Sequence, residues 1–194
     1  MKKDYFSIKK MSVTGMLTAL TVVLGLSGLG IIQIPGLPFK VTILHIPVII
    51  GAVLEGPVVG GAIGLLFGLW SIVDKVIRPT PTGFVFFNPL VSVMPRILIG
   101  IFAYYSYKIF IKYIPENVAM ALSSIIGTAI NTIGVLGMIY LIYAAEYMET
   151  INRAKESAFW FLAGTAVSNG IPEAVASAIL VPIVIIGVKK LKKS

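Results

Sequence analysis

The sequence predicts an all-α membrane protein, a bundle of six transmembrane helices in a single domain that comprises residues 1–194. Three observations support this fold class: 57% of the residues are hydrophobic, only 12% are charged, and the mean hydropathy is +0.96. A soluble domain carries about 25% charged residues. Because a spanning helix needs roughly 20 apolar residues, the length allows about five to seven spans and no separate soluble domain.

Apolar runs separated by proline, glycine and charge define the helices in chain order. We expect them at residues 11–30, 42–56, 58–76, 89–111, 118–145 and 158–188. The second run is short and contains Pro47, which predicts a short or distorted helix. The longer connections, 33–41, 77–88 and 146–157, all fall on one side of this six-span layout, so functional loops are expected there.

The basic residues predict the orientation of the bundle. With both termini on one side, that side holds ten lysines, at positions 2, 3, 9, 10, 108, 112, 189, 190, 192 and 193. The other side holds five basic residues, at positions 40, 75, 78, 153 and 155. Lysine and arginine are enriched in cytoplasmic loops, so both termini are predicted to be cytoplasmic in a multi-pass protein of the cell membrane. The clusters lie between apolar runs, which argues against nucleic acid as the partner.

Small residues recur at helical spacing in two spans and predict close contacts between helices. Gly60, Gly64 and Gly68 form such a stripe in the third span, where packing inside the bundle is the favoured interpretation. Gly15 and Ala19 form another in the first span. For that stripe, internal packing and contact with a second protein remain open.

Two charged residues fall at bilayer depth, where each costs at least ~2.5 kcal/mol on insertion scales and so faces a cavity or a partner. They are Arg96 in the fourth span and Glu173 in the sixth. Glu173 follows Asn169 and Pro172, and the proline is expected to open the helix and free carbonyl oxygens there. One interpretation is a structural salt bridge between Arg96 and Glu173. The other is a binding site in which Arg96 holds a ligand carboxylate while Glu173 and Asn169 contact hydroxyl or amide groups.

Further candidate ligand contacts lie in the outer half of the bundle. An amide within the fifth span needs a partner in the bundle or on a ligand, and the aromatic residues can cover a ligand. Trp70 can instead be an interfacial anchor, and Asp74 with Arg78 a surface pair. A lone histidine without a second histidine or cysteine does not make a metal site. These further candidates are His45, Trp70, Thr82, Phe84, Phe86, Asn88 and Asn131.

Several glycine–proline segments together resemble the S components of energy-coupling factor (ECF) vitamin transporters. The segments are LHIPVIIG at 44–51, EGP at 55–57, GGAIGLLFG at 60–68, PTPTGFVFFN at 79–88, PR at 95–96 and NGIPE at 169–173. The resemblance covers nearly the whole chain and includes the six-span layout. The loop at 79–88 is similar to that of pantothenate-type members, with folate or another vitamin remaining open.

The resemblance implies a substrate-binding subunit of an ABC-type transporter with its pocket near the outer face. Its implied partners are a transmembrane T component, which docks on small residues of the first helix, here Gly15 and Ala19, and two cytosolic ATPases. The family usually has two alanines at this place, so Gly15 departs from the pattern by one methyl group. The sequence has no phosphate-binding loop, in agreement with ATP hydrolysis by a partner.

Two other classes remain open. A membrane enzyme would need paired histidines or acids, or a base beside a serine, and the chain has one histidine and no cysteine. We therefore expect no enzyme activity, no metal and no other cofactor. A self-contained carrier would usually contain inverted repeats, and the two halves of the sequence show no clear similarity.

Overall fold

The structure, a computed structural model, describes residues 7–33 and 40–191. The described part contains seven helices, one short hairpin and two 3-10 segments. In chain order they are α1 (Ile8–Ser27), β1 (Ile31–Gln33), β2 (Lys40–Thr42), α2 (Ile46–Glu55), α3 (Pro57–Ile77), the 3-10 segment Pro81–Phe87, α4 (Pro89–Ser92), α5 (Met94–Phe110), α6 (Glu116–Thr150), the 3-10 segment Lys155–Ser157 and α7 (Ala158–Leu191).

The predicted fold class, a helical membrane bundle, is confirmed. Five stretches of the described chain are long and apolar enough to span a bilayer: α1, α3, α4 with α5, α6, and α7. The exception is the second predicted span, because α2 has only ten residues and is about 15 Å long, roughly half the hydrocarbon thickness. Before α2, the run contributes Thr42 to the end of β2 and forms a turn at Leu44 and His45. A short helix agrees with the prediction for this run.

Ser7 caps the start of α1, because its hydroxyl accepts a hydrogen bond from the Lys10 N–H at 3.4 Å. Gly28 follows the last residue of α1, and its positive φ of 74° suits a residue without a Cβ. The hairpin follows, with β1 and β2 antiparallel and Ile31 opposite Thr42. Residues 34–39, which include Pro35 and Pro38 of the predicted external connection, lie outside the described residues.

α2 is the centre of the bundle. Every residue from Ile46 to Val53 is buried, and the helix packs against α1, α3, α5, α6 and α7. Gly56 follows with a φ of 106°, which lets the chain reverse directly into α3 at Pro57. The short helix therefore fills the middle of the membrane domain with apolar side chains.

The glycine stripe of α3 packs inside the bundle, as the sequence analysis favoured. A Cβ on Gly60 would lie 3.0 Å from the Gly100 Cα, and one on Gly68 would lie 2.6 Å from the Val93 Cα. A Cβ on Gly64 would overlap the carbonyl oxygen of Arg96. α3 thus lies directly against the backbone of α5.

α6 and α7 are 35 and 34 residues long, about 50 Å each, and so exceed the hydrocarbon core. The predicted connection 146–157 is consequently reduced to 151–157. Inside α6, Tyr143 has a non-helical backbone (φ −126°, ψ 16°). α7 runs without interruption through Pro172 and Pro182, so Pro172 removes a backbone donor but does not end the helix.

Basic residues lie at both ends of the bundle. Lys9 pairs with Glu55 at 2.9 Å and Lys189 pairs with Glu116, both at the end where α1 begins and α7 ends. Arg78 and Arg153 lie at the opposite end. Lys2, Lys3, Lys192 and Lys193 of the charge argument lie outside the described residues, and the side of the membrane that each end faces remains a prediction.

Candidate functional site

A cavity of about 380 Å³ opens at the end of the bundle opposite the start of α1 and the end of α7. It lies between the end of α1, the hairpin, α3, the 3-10 segment Pro81–Phe87, α5 and α6. Its wall combines aromatic rings with many polar groups. These are Phe67, Trp70 and Phe86, together with Thr42, Ser71, Asp74, Lys75, Arg78, Thr80, Arg96 and Asn131.

Arg96 is the most buried charge of this wall, with 7% of its surface exposed. Its Nη1 donates to the Val91 carbonyl oxygen at 2.6 Å, and its buried Nε has no partner. The Phe67 and Phe86 ring centroids each lie 5.6 Å from the guanidinium carbon. The two rings stabilise the cation through their electron-rich faces.

The backbone of Arg96 is fixed by the close approach of α3. Arg96 sits in the first turn of α5, directly after Pro95, and Gly64 of α3 packs against its carbonyl group. Any side chain at position 64 would separate the two helices at this point. The glycine stripe therefore determines where the arginine lies as well as how the helices pack.

Asn131 contributes an acceptor to the same cavity. It lies within α6, and its buried Oδ1 has no hydrogen-bond partner. An unpaired buried amide oxygen is costly, and a ligand hydroxyl or amide N–H would satisfy it. Arg96 and Asn131 both line the cavity, and each has one buried side-chain atom without a hydrogen-bond partner, the Nε of Arg96 and the Oδ1 of Asn131.

Glu173 is occupied by another part of the protein. Its Oε1 accepts hydrogen bonds from the Thr42 N–H at 2.9 Å and from the Thr42 hydroxyl at 2.7 Å. The structural salt bridge between Arg96 and Glu173 that the sequence allowed is not formed: Glu173 is bonded to Thr42, and Arg96 donates to the Val91 carbonyl oxygen. The carboxylate instead holds β2 against α7, and Thr42 itself faces the cavity.

His45 and Asn169 lie outside the set of residues that line the cavity. The His45 Nε2 lies 2.9 Å from the Thr128 hydroxyl, which lies 2.9 Å from the Ser177 hydroxyl. This buried chain joins the residue that precedes α2 to α6 and α7. The His45 Nδ1 and the Asn169 Oδ1 are both buried and unpaired.

The candidate ligand contacts in the loop at 79–88 differ in whether they line the cavity. Phe86 lines the cavity, whereas Thr82, Phe84 and Asn88 are half-buried beside it. Phe84 packs edge-on against Tyr143 at 5.8 Å between ring centroids, and Asn88 Nδ2 donates to the Tyr143 hydroxyl at 3.2 Å.

A charged cluster of Asp74, Lys75 and Arg78 lies at the mouth of the cavity. Asp74 accepts hydrogen bonds from Arg78, as that pair predicts, and from Lys75 at 3.1 Å. Arg78 also donates to the Gly25 carbonyl oxygen at 2.9 Å, which ties α3 to the end of α1. The helical spacing of Asp74 and Arg78 predicts their pairing, but no local pattern predicts the contact with Gly25 or that Lys75, Thr42 and Phe67 line the cavity.

The family model for the substrate-specific component of ECF transporters matches residues 9–185. The chain belongs to this family. It is also 30% identical, over the full length of both chains, to the pantothenic acid transporter PanT of Lactococcus lactis subsp. cremoris (strain MG1363). The family and this relative are transporters and not enzymes.

Proposed function

We propose that this chain is an S component that captures pantothenate, or a closely related hydroxy-acid amide, in the cavity beside Arg96. The observation that carries the proposal is that Arg96 and Asn131 line the same cavity and that each has a side-chain atom without a hydrogen-bond partner, Nε and Oδ1 respectively. The similarity to a pantothenic acid transporter supports the same ligand class.

The chemistry of the wall suits such a molecule. Pantothenate has one carboxylate, one amide and two hydroxyl groups on a short aliphatic frame. Arg96 would bind the carboxylate through charge-assisted hydrogen bonds, and Asn131 would accept from a hydroxyl or the amide N–H. Phe67, Phe86 and Trp70 would cover the aliphatic part.

Folate or another ring-bearing vitamin is the second candidate. The observation in its favour is the presence of three aromatic side chains, Phe67, Trp70 and Phe86, in one cavity, because aromatic faces stack on flat heterocycles. A thermal-shift screen of the purified protein against water-soluble vitamins decides between the two. The proposal expects pantothenate to give the largest stabilisation, since a ligand that binds only the folded state raises the melting temperature.

The decisive variant is Arg96→Gln, compared with Arg153→Gln as a matched control. Arg153 lies at the same end of the bundle with its guanidinium over the Phe161 ring, 5.1 Å from the centroid, and outside the cavity wall. We expect Arg96→Gln to weaken pantothenate binding about 10- to 100-fold, the usual effect of losing a hydrogen bond to a charged group. Equal effects of both variants, or no binding by the unaltered protein, would contradict the proposal.

The energy for uptake would come from partners, a T component and two cytosolic ATPases. Gly15 and Ala19 support this part, because both lie exposed on α1 and a Cβ at Gly15 would meet nothing within 4 Å. In this arrangement both termini are cytoplasmic and the cavity faces outwards. A self-contained carrier would instead transport pantothenate into liposomes without any partner, so this assay separates the two mechanisms.

A further inference from the structure

Tyr143 is the one residue within α6, as the structure describes it, whose backbone leaves the helical region, with φ −126° and ψ 16°. It does not line the cavity. It lies beside the loop that follows α3, where α6 passes the 3-10 segment Pro81–Phe87. The departure from helical geometry thus coincides with the place where α6 meets this loop.

Two contacts join Tyr143 to the loop. Its ring meets the Phe84 ring edge-on, with 5.8 Å between the centroids and 90° between the planes. Its hydroxyl accepts a hydrogen bond from Asn88 Nδ2 at 3.2 Å. Asn88 in turn accepts from the Leu90 N–H at 2.9 Å and so caps α4.

Phe86 lies between these two anchor points. From there its ring faces the Arg96 guanidinium, 5.6 Å from the centroid, and the Lys75 ammonium, 5.9 Å from the centroid. Because Phe84 and Asn88 are each two residues away, a shift at either one moves Phe86 relative to Arg96. Contacts with Tyr143 of α6 therefore help to set the position of the Phe86 ring, although Phe86 belongs to the loop.

We propose that Tyr143 is a positioning residue of the cavity: it holds the loop at Phe84 and Asn88 so that Phe86 covers Arg96. The effect on ligand binding rests on the proposed function. The effect on the position of the loop does not. Tyr143 itself touches no ligand in this scheme and acts only through Phe86.

The loop position is measured without ligand. The chain has two tryptophans, and Trp160 is 77% exposed, so Trp160→Phe leaves Trp70 as a fluorescent reporter in the cavity wall. In this background we expect Tyr143→Leu to increase quenching of Trp70 by acrylamide, since a displaced loop admits the quencher. Tyr143→Phe, which keeps the ring and loses only the hydroxyl, should give a smaller increase.

Tyr140→Leu is the matched control. Tyr140 lies one turn earlier on α6 and packs edge-on against Phe159 at 6.0 Å between centroids, away from the loop. It should leave quenching of Trp70 unchanged. If Tyr143→Leu also leaves quenching unchanged, or Tyr140→Leu raises it equally, the positioning role is wrong.

Ligand binding gives the second readout. We expect Tyr143→Leu to weaken pantothenate binding about five- to twentyfold, and much less for the analogue whose carboxylate is replaced by an alcohol. The losses from Tyr143→Leu and Phe86→Leu should not add in the double variant. Additive losses, or equal weakening of both ligands, would overturn the mechanism. If the unaltered protein binds neither ligand while the quenching results hold, only the proposed function fails.

Discussion

Glu173 of α7 accepts two hydrogen bonds from Thr42, one from its N–H at 2.9 Å and one from its hydroxyl at 2.7 Å, across 131 positions of sequence. A buried carboxylate needs such donors, because leaving it unpaired in the membrane domain is costly. The two bonds connect the last helix to the strand that precedes α2. Glu173 thereby holds Thr42 in the cavity wall, although Glu173 itself does not line the cavity.

The Glu173 contact predicts different results for two substitutions. Glu173→Ala removes the acceptor of both hydrogen bonds from Thr42 and should lower the free energy of unfolding by about 1–3 kcal/mol. Pantothenate binding should weaken as well, because Thr42 can then move. Glu173→Gln keeps an acceptor oxygen and should lose far less of both. Thermal unfolding and isothermal titration measure the two quantities. A large loss of binding in Glu173→Gln at unchanged stability would instead indicate that Glu173 contacts the ligand.

Gly64→Ala tests the packing of α3 on Arg96. The new Cβ would overlap the Arg96 carbonyl oxygen, so α5 must shift, at a cost of about 1–3 kcal/mol, and pantothenate affinity should fall. Gly137→Ala is the control, since its Cβ would meet nothing within 4 Å and alanine favours the helix by up to about 1 kcal/mol. Equal melting temperatures for the two variants would rule out this role of Gly64.

Gly25→Ala tests the contact between α1 and Trp70 at the cavity mouth. The added Cβ would lie 2.9 Å from the Trp70 Nε1, so the indole ring must move. We expect weaker pantothenate binding and a shifted Trp70 emission in protein that carries Trp160→Phe. Unchanged emission would show that the indole does not respond to this position.

The exposed small residues of α1 predict a separation of binding from uptake. Gly15→Leu and Ala19→Leu should abolish pantothenate uptake by cells that supply the ECF partners, because bulk on this face prevents close helix contact, while the purified variants still bind. Gly164→Leu is the control, an exposed site on α7 where a Cβ meets nothing within 4 Å. Loss of binding together with uptake would mean that the stripe packs within the bundle.

The helices could be predicted from sequence because a bilayer imposes a length on every apolar run. The second run, residues 42–56, predicts a short or distorted helix, and α2 is short, with ten residues; the first residue of the run, Thr42, ends β2, and a turn precedes α2. Hydropathy indicates that a segment is buried in the membrane domain, but it does not distinguish a strand from a short helix.

The site could be predicted only in part. Arg96 and Asn131 stand out because polar groups inside a membrane are expensive. The partner of Glu173 could not be predicted, since a contact across 131 positions depends on the tertiary fold. Nor does the composition of the loop show that Phe86 faces the cavity while Phe84 faces Tyr143.

The burial of α2 has an electrical consequence. From Ile46 to Val53 its side chains are buried, and they lie between the cavity and the opposite end of the bundle. Such an apolar seal offers an ion no replacement for its hydration shell. Liposomes that contain this protein alone should therefore hold a proton gradient, and a cell could keep many idle copies in its membrane without discharging its potential.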